Sequence, residues 1–330
     1  MKISIVIPAY NEEENLPEVA ARIKENLTGR YERELIFVDD GSRDGTQRVL
    51  RELRSQDPEI HYVALSRNFG HQSALRAGLD YATGDCIISL DADMQHPPQL
   101  LPELIGHWLA GYDIVYTQRE DDERLSWFKR TTSNAFYGLM NSLSSVSFEP
   151  GTADYRLIDR RVADVVRNNA DVELFLRGFI HWVGFRQKKV AYTPAARFRG
   201  KTKYTLRKMV KLALNGVTSF SVRPLHLATL AGAVVSTLAF SYALYALYIL
   251  LFTDDAVPGW TSTLVSVLFI GGIQLLVLGI MGEYIGRLFI QSKQRPPYLV
   301  RETDEGLPAP PPRGSVVPDT TPRRPHSTPI

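Results

Sequence analysis

Short apolar runs recur through the first third of the chain, at residues 3–7, 35–38, 61–65, 86–90 and 114–116. Each is rich in Ile, Val or Leu and stops at a polar or glycine-containing turn, which predicts buried strands. The segments between them carry apolar residues at helical spacing, as in Val49, Leu50 and Leu53 or in Ala74, Leu75 and Leu79. A helix is expected from near Asp44. Another is expected after Asn11, which suits an N-cap, with Glu12, Glu13 and Glu14 at the positive end of the helix. Strands alternating with helices imply an α/β domain with a mainly parallel central sheet covered on both faces.

Later the pattern changes. Residues 224–253 contain no Asp, Glu, Lys or Arg, and neither do residues 256–282. Each stretch exceeds the roughly 20 apolar residues that span a bilayer core, so two transmembrane helices are expected. The link between them holds Asp254, Asp255 and Trp260, whereas Arg207, Lys208, Lys211 and Arg223 precede the pair and Arg287, Lys293 and Arg295 follow it. The positive-inside rule then places both termini, and the large N-terminal domain, on the cytoplasmic side of the inner (plasma) membrane. Arg207, Lys208 and Lys211 fit an amphipathic segment lying on the membrane surface. Gly282 and Gly286 form a small-xxx-small pattern that permits close helix contact. Residues 302–330 hold eight prolines and few large apolar groups, a composition that cannot pay for ordering. The expected division is a catalytic-type domain at 1–204, interfacial helices at 205–223, the membrane pair at 224–290 and a largely disordered cytoplasmic tail at 291–330.

Composition narrows the function. With 38 basic against 36 acidic residues, no nucleic-acid partner is implied. The single cysteine, Cys86, excludes an intramolecular disulfide and a cysteine-rich zinc site, and its strand position makes it a core residue. The N-terminus opens directly into a strand pattern, so no signal peptide is expected. Neither a Gly-x-Gly-x-x-Gly fingerprint nor a Gly-Lys-Ser/Thr phosphate loop is present.

Chemistry-bearing residues gather just after the predicted strands: Glu12, then Asp39 and Asp40, Arg67 and Asn68, Asp91, Asp93 and Gln95, and Arg119. Parallel strands bring such positions to one edge, where open α/β sheets bind ligands. Two acids at i and i+2 can converge on a hard cation whose shell a nucleotide diphosphate completes. A strand ending in a solvated Asp-rich turn is the bland reading of Asp91-Ala92-Asp93, and the concentration of acids on neighbouring strands weighs against it. His71, His96 and His181 read as structural. Lys129 and Arg130 also fit a solvated helix face.

Three motifs together carry a resemblance: Val6-Ile7-Pro8-Ala9-Tyr10-Asn11-Glu12, Val38-Asp39-Asp40-Gly41-Ser42 and Asp91-Ala92-Asp93-Met94-Gln95-His96-Pro97. In order and spacing they resemble family 2 glycosyltransferases of the Rossmann-like GT-A fold. With two C-terminal membrane helices, the chain is similar to the polyprenyl-phosphate branch of that family. The resemblance implies that Pro8, Tyr10, Glu12, Asp39 and Asp91 line the nucleotide pocket. It implies that Asp91, Asp93 and Gln95 hold Mg²⁺ or Mn²⁺ on the diphosphate, with Asp93 and Asp154 catalytic. Arg119, Lys129, Arg130 and Ser133 would place the acceptor phosphate. Arg197, Lys201 and Lys203 would close over the donor diphosphate, with Thr202 standing where Ser is usual and Arg199 where a small residue is common.

The implied reaction is inverting transfer of one hexose, glucose by preference, from a UDP-sugar to polyprenyl phosphate at the membrane, by a homotetramer. Transfer of mannose or another sugar, a processive polysaccharide synthase, and a non-catalytic membrane scaffold are the alternatives. A lipid phosphate monoester has a second pKa of about 6 and is largely anionic at neutral pH. It needs placing more than deprotonating, so Asp154 serves either as a base or to orient the sugar.

Overall fold

The computed structural model describes residues 1–27, 29, 31–119, 151–169, 171, 176–193, 221–252, 259–307 and 309–310. They form an α/β unit, which includes the described residues from 296 onward, and a separate helical unit.

In the α/β unit the strands are β1 (Lys2–Ala9), β2 (Glu32–Asp39), β3 (Ile60–Leu65), β4 (Cys86–Ser89), β5 (Ile114–Arg119), β6 (Thr152–Asp159), β7 (Gln187–Tyr192) and β8 (Val300–Thr303). They form one sheet in the order β7-β5-β6-β4-β1-β2-β3-β8. The pairs β1–β2, β1–β4, β2–β3 and β5–β7 are parallel. Only β6 and β8 run against their neighbours. The five strands expected from hydropathy are present, and β6, β7 and β8 are added to them.

Helices α1 (Leu16–Asn26), α2 (Thr46–Gln56), α3 (His71–Tyr81) and α4 (Leu101–Leu109) follow strands, and α5 (Arg160–Asn168) and α6 (Leu176–Trp182) lie between β6 and β7. Ile3, Ile5, Ile7, Leu35 and Phe37 pack with Leu16, Val19 and Ile23 of α1 and with Leu104, Ile105 and Trp108 of α4. The alternate residues Val6 and Val38 meet α3 on the other face, so the buried strands read as nearly continuous apolar runs. That contact is close: a Cβ at Gly78 would lie 2.2 Å from Val6 Cγ1. Cys86 is fully buried, as expected.

Asn11 does not cap α1, which begins at Leu16. It adopts a left-handed conformation with φ of 57°, and its side-chain oxygen accepts from Arg43 N at 2.8 Å. The motif therefore ties the β1 turn to the β2 turn rather than starting the helix.

The expected disordered tail also needs correction. Within residues 291–330, β8 pairs antiparallel with β3 and covers what would otherwise be an open sheet edge. Tyr298 Oη donates to Asp80 Oδ2 at 2.6 Å and Ser66 N donates to Leu299 O at 2.8 Å. Glu302 accepts from Tyr62 Oη, Gln47 Nε2 and Arg51 Nη2. Asp304 accepts from Tyr62 N at 3.0 Å and faces Arg54 Nε at 2.9 Å and His61 Nδ1 at 2.8 Å. These partners lie some 240 residues away, |i−j| being 242 for Asp304 and Tyr62, so no local composition signal announces them.

Asp304 also gives a pH-dependent prediction. Burial alone would raise its carboxyl, but hydrogen bonds from His61 and Tyr62 N, with the His61 and Arg54 charges, hold it below the usual range. Its stabilisation is therefore present above pH ~4 and is lost as pH falls through the folded-state value. Asp304→Ala should cost about 1–3 kcal/mol near neutral pH. In thermal melts, the gap from the unaltered protein should narrow as the solution is acidified below pH ~4.

The helical unit contains α7 (Arg223–Phe252) and α8 (Trp260–Ser292). Segments of each, Arg223–Tyr242 and Phe269–Ser292, are long and apolar enough to cross a membrane. Leu238, Phe240, Leu275 and Leu288 are each more than 60% exposed. A soluble core helix would bury such side chains, so these two helices fit a lipid environment. Tyr284 Oη donates to Ser221 O at 2.6 Å across the start of α7. Residues 194–220 and 253–258, which hold the expected interfacial segment and most of the acidic link, lie outside the described residues.

Candidate active site

Strand direction decides which residues meet. β1 to β4 all end at one edge of the sheet, and β5 and β7 end there too. β6 runs the other way, pairing Ser89 with Arg156, so its first residues arrive beside the residues that follow β4. Asp154 thereby joins Asp91 although they are distant in sequence.

The β1 and β2 turns are interlocked. Asn11 N donates to Ser42 Oγ, Glu12 N to Thr46 Oγ1, and Gly45 N to Glu13 Oε2, at 2.9–3.0 Å. Glu12 accepts from Asn15 Nδ2 at 2.5 Å. Pro8 is buried and Tyr10 half-buried beside them. Asp39 is fully buried. Its Oδ1 accepts from Ser42 N at 2.8 Å, while Oδ2 has no hydrogen-bond partner. A buried acceptor without a donor requires an explanation, and a ligand N–H or O–H supplies one.

Asp40 instead braces the neighbouring loop. It accepts from Phe69 N at 2.7 Å and Gly70 N at 3.0 Å. Burial pushes its carboxyl above the ordinary value despite those bonds. The Arg67 guanidinium stacks over the Phe69 ring at 4.2 Å. Gly41, with φ of +68°, lies so close to this loop that an added Cβ would fall 2.4 Å from Arg67 C. Gly41→Ala should therefore cost about 1–3 kcal/mol in backbone strain, detectable as a lower Tm in thermal melts.

After β4, Gln95 N donates to Asp93 Oδ1 at 3.1 Å, and Met94 between them has φ of 63°. Asp91 N donates to His96 Nδ1 at 3.0 Å, which fixes His96 as the tautomer protonated on Nε2. The His96 ring stacks on Tyr155 at 5.2 Å, and Tyr155 Oη donates to Pro97 O at 3.1 Å. Asp91 Oδ1 is buried without a hydrogen-bond partner. His71 Nε2 is 3.5 Å from it, an ion-pair separation rather than a hydrogen bond.

Among the described residues, no three His, Cys, Asp or Glu side chains form a ready-made metal cage. Asp91, Asp93 and Gln95 all follow β4 within five residues, and Asp91 Oδ1 is an orphaned carboxylate oxygen. Such a set fits a hard divalent cation whose remaining positions a substrate diphosphate fills.

Asp154 is the most heavily bonded acid at this edge. It accepts from Arg177 Nε at 2.9 Å and Nη2 at 2.7 Å, Arg156 Nη2 at 2.8 Å and Gln72 Nε2 at 3.3 Å. His71 Nε2 lies 3.2 Å from its Oδ2. Burial would raise this carboxyl, but Arg177, His71 and Arg156 hold it well below the usual range. His71 keeps 42% of its side chain exposed; partial desolvation acts to lower its imidazole, and the Asp154 hydrogen bond with the Asp91 and Asp154 charges outweighs this and raises it to about 9. His71 Nε2 thus stands between the two acids, 3.5 Å from Asp91 Oδ1 and 3.2 Å from Asp154 Oδ2. Arg177 and Gln72 carry no motif signal; only strand order and the position of α6 bring them here.

Arg119 ends β5 and is exposed, opposite Tyr192 in the register. Burial pushes the Tyr192 phenol up to about 12; Arg119 and Arg177 act against this, while Asp91 and Asp93 reinforce it. All four charges are therefore within electrostatic reach of one ring. His181 lies apart, with Nδ1 2.7 Å from Gln187 Oε1. Lys129, Arg130, Ser133, Arg197, Lys201 and Lys203 lie outside the described residues.

The family model described as glycosyl transferase family 2 matches residues 4–168. The chain is 43% identical over 304 residues to the uncharacterized glycosyltransferase YkcC of Bacillus subtilis, covering 92% of this chain and 94% of that one. A prophage bactoprenol glucosyl transferase homolog of Escherichia coli is 41% identical over 91% of this chain and 99% of its own. The bactoprenol glucosyl transferase of Shigella phage SfII is 39% identical over 93% of this chain and 100% of its own. Matches so nearly complete in both directions span the helical pair as well as the sheet. With acids gathered at the carboxyl edge of a mainly parallel sheet, a family model over residues 4–168 and relatives that match more than nine-tenths of it, the chain belongs to glycosyltransferase family 2.

Proposed function

We propose that this membrane-associated glycosyltransferase transfers one glucose from UDP-glucose to polyprenyl phosphate, with inversion, at the cytoplasmic face. The similarity to bactoprenol glucosyl transferases over more than 90% of this chain is the observation that carries the reading. The two apolar helices supply the reason for a lipid acceptor. Basic flanks outside the helical pair favour cytoplasmic termini, and the glycine pair in α8 suits assembly into a tetramer.

Pro8, Tyr10, Glu12 and Asp39 then form the nucleoside pocket, with Asp39 Oδ2 accepting from the base or ribose. Asp91, Asp93 and Gln95 would hold Mg²⁺ or Mn²⁺. The cation, when bound, neutralises charge that develops on the departing diphosphate. Arg119, with Lys129, Arg130 and Ser133, places the acceptor phosphate; Arg197, Lys201 and Lys203 close over the donor and exclude water.

Full-length protein in nanodiscs should transfer labelled glucose from UDP-glucose to undecaprenyl phosphate, giving a product with a single sugar. GDP-mannose, UDP-galactose and UDP-N-acetylglucosamine serve as competing donors. A clear preference for one of these over UDP-glucose would overturn the glucose assignment, and multi-sugar products would overturn single transfer.

A further inference from the structure

Gln72 is the second residue of α3. The loop before it is held in place, because Asp40 accepts from Phe69 N and Gly70 N. Gln72 Nε2 donates to Asp154 Oδ2 at 3.3 Å. Asp154 pairs with Arg156 and Arg177, so it is an ionised carboxylate that only accepts. The amide nitrogen must therefore face it, and this settles which way round the amide sits. Gln72 Oε1 is left as a buried acceptor with no hydrogen-bond partner. Gln72 as a whole is only half-buried. The terminal torsion of a glutamine is soft, so Oε1 can turn to meet a ligand while Nε2 stays on Asp154.

Position along the sheet edge narrows what that ligand is. The strand order there runs β6-β4-β1-β2. The turns after β1 and β2 carry Tyr10, Glu12 and Asp39, and the turn after β4 carries Asp91 and Asp93. Gln72 and Asp154 come next, on the β6 side, with His71 between Asp154 and Asp91. A nucleotide with its base over β1 and β2 and its diphosphate at the β4 turn points the group that the diphosphate carries toward Gln72. An amide oxygen needs a donor. The oxygens of an ionised phosphate only accept and would be repelled, whereas a sugar hydroxyl donates.

We propose that Gln72 is a specificity-determining residue, whose Oε1 accepts a hydrogen bond from one hydroxyl of the donor sugar while Asp154 holds the amide in place. This rests on the glycosyl-transfer reading above. Neither residue makes or breaks a covalent bond. A donor lacking that hydroxyl leaves the amide oxygen unpaired, which a polar site penalises more heavily than a missing methylene.

The test uses full-length protein in nanodiscs, undecaprenyl phosphate, UDP-glucose and the four UDP-deoxyglucoses that each lack one sugar hydroxyl. Wild-type kcat/KM should fall by about 10–10²-fold for the analogue that lacks the bonded hydroxyl. Gln72→Met, which keeps the length of the side chain and removes the amide, should lose a similar factor with UDP-glucose and nothing further with that analogue. Its relative losses with the other three should match those of the wild type, the non-additivity being confined to groups in contact. Titration calorimetry with Mn²⁺ should show weaker UDP-glucose binding in Gln72→Met and unchanged UDP binding. This arm needs no acceptor: wild-type protein that binds UDP-glucose but transfers nothing to the lipid would overturn the glycosyl-transfer reading, and the calorimetry would still decide the role of Gln72. Wild-type protein that uses all four analogues as well as UDP-glucose would overturn the proposal. So would Gln72→Met losses shared equally by UDP-glucose and every analogue, or by UDP and UDP-glucose, a pattern that leaves Gln72 as a brace for Asp154 with water on its Oε1.

Discussion

Asp93→Ala is expected to abolish sugar transfer, lowering kcat by about 10³-fold or more while leaving the fold intact. Asp93 is half-exposed at a turn and accepts a hydrogen bond from Gln95 N two residues on, so little buried surface is lost with it. The loss falls on the reaction instead. A carboxylate that holds a divalent cation against a departing diphosphate contributes several kcal/mol to the transition state, and each 1.36 kcal/mol is about tenfold in rate. Binding of Mn²⁺ in the presence of UDP, followed by electron paramagnetic resonance, gives a readout independent of turnover. It should weaken in Asp93→Ala and in Asp91→Ala, and survive in Gly41→Ala at saturating UDP. Unchanged Mn²⁺ binding in Asp93→Ala would remove this residue from the metal site.

Asp154→Ala is expected to have the largest effect on stability. It removes the carboxylate paired with Arg156, buried at 4% exposure, and with Arg177, and leaves the Gln72 amide without its acceptor. Removing one partner of a buried ion pair typically costs about 3–5 kcal/mol, or roughly 6–20 °C in Tm for a unit of this size. The sign with pH is set by the depressed carboxyl. Its stabilisation is fully present above the ordinary carboxylate pKa of about 3.9 and is lost only as pH falls through the much lower folded value. Both gaps should therefore hold above pH ~4 and narrow below it, that of Asp154→Ala continuing to narrow to lower pH than that of Asp304→Ala. Differential scanning fluorimetry across that range separates the two acids. A Tm unchanged by Asp154→Ala would show that the two arginines find other counter-charges.

The parts of the site that were legible are those set by close neighbours. Asp39 and Asp91 follow apolar strands directly, and the turn chemistry after each strand keeps them at the sheet edge. The α/β alternation and the apolar helices rest on the same local periodicity. The place of His71 between two carboxylates was not legible, because a histidine opening a helix has no local signal of the acids that the fold brings to it. Asn11 misled for a related reason: its side chain satisfies the β2 turn, 32 residues away, rather than the helix that follows it. Arg177 left no trace in the motifs, since its meaning depends on Asp154, 23 residues earlier on an antiparallel strand.

By itself the sequence determined the strand-and-helix alternation, the acid-bearing turns and the two membrane-length helices, because each depends on solvation and spacing within a few residues. Tertiary structure decided which charges face one another. The reversed direction of β6 brings Asp154 beside Asp91, and the return of β8 to the edge of β3 turns part of an expected tail into structure. Both outcomes arise from hydrogen-bond ladders and ion pairs between distant segments, whose strength depends on strand order and burial rather than on local composition.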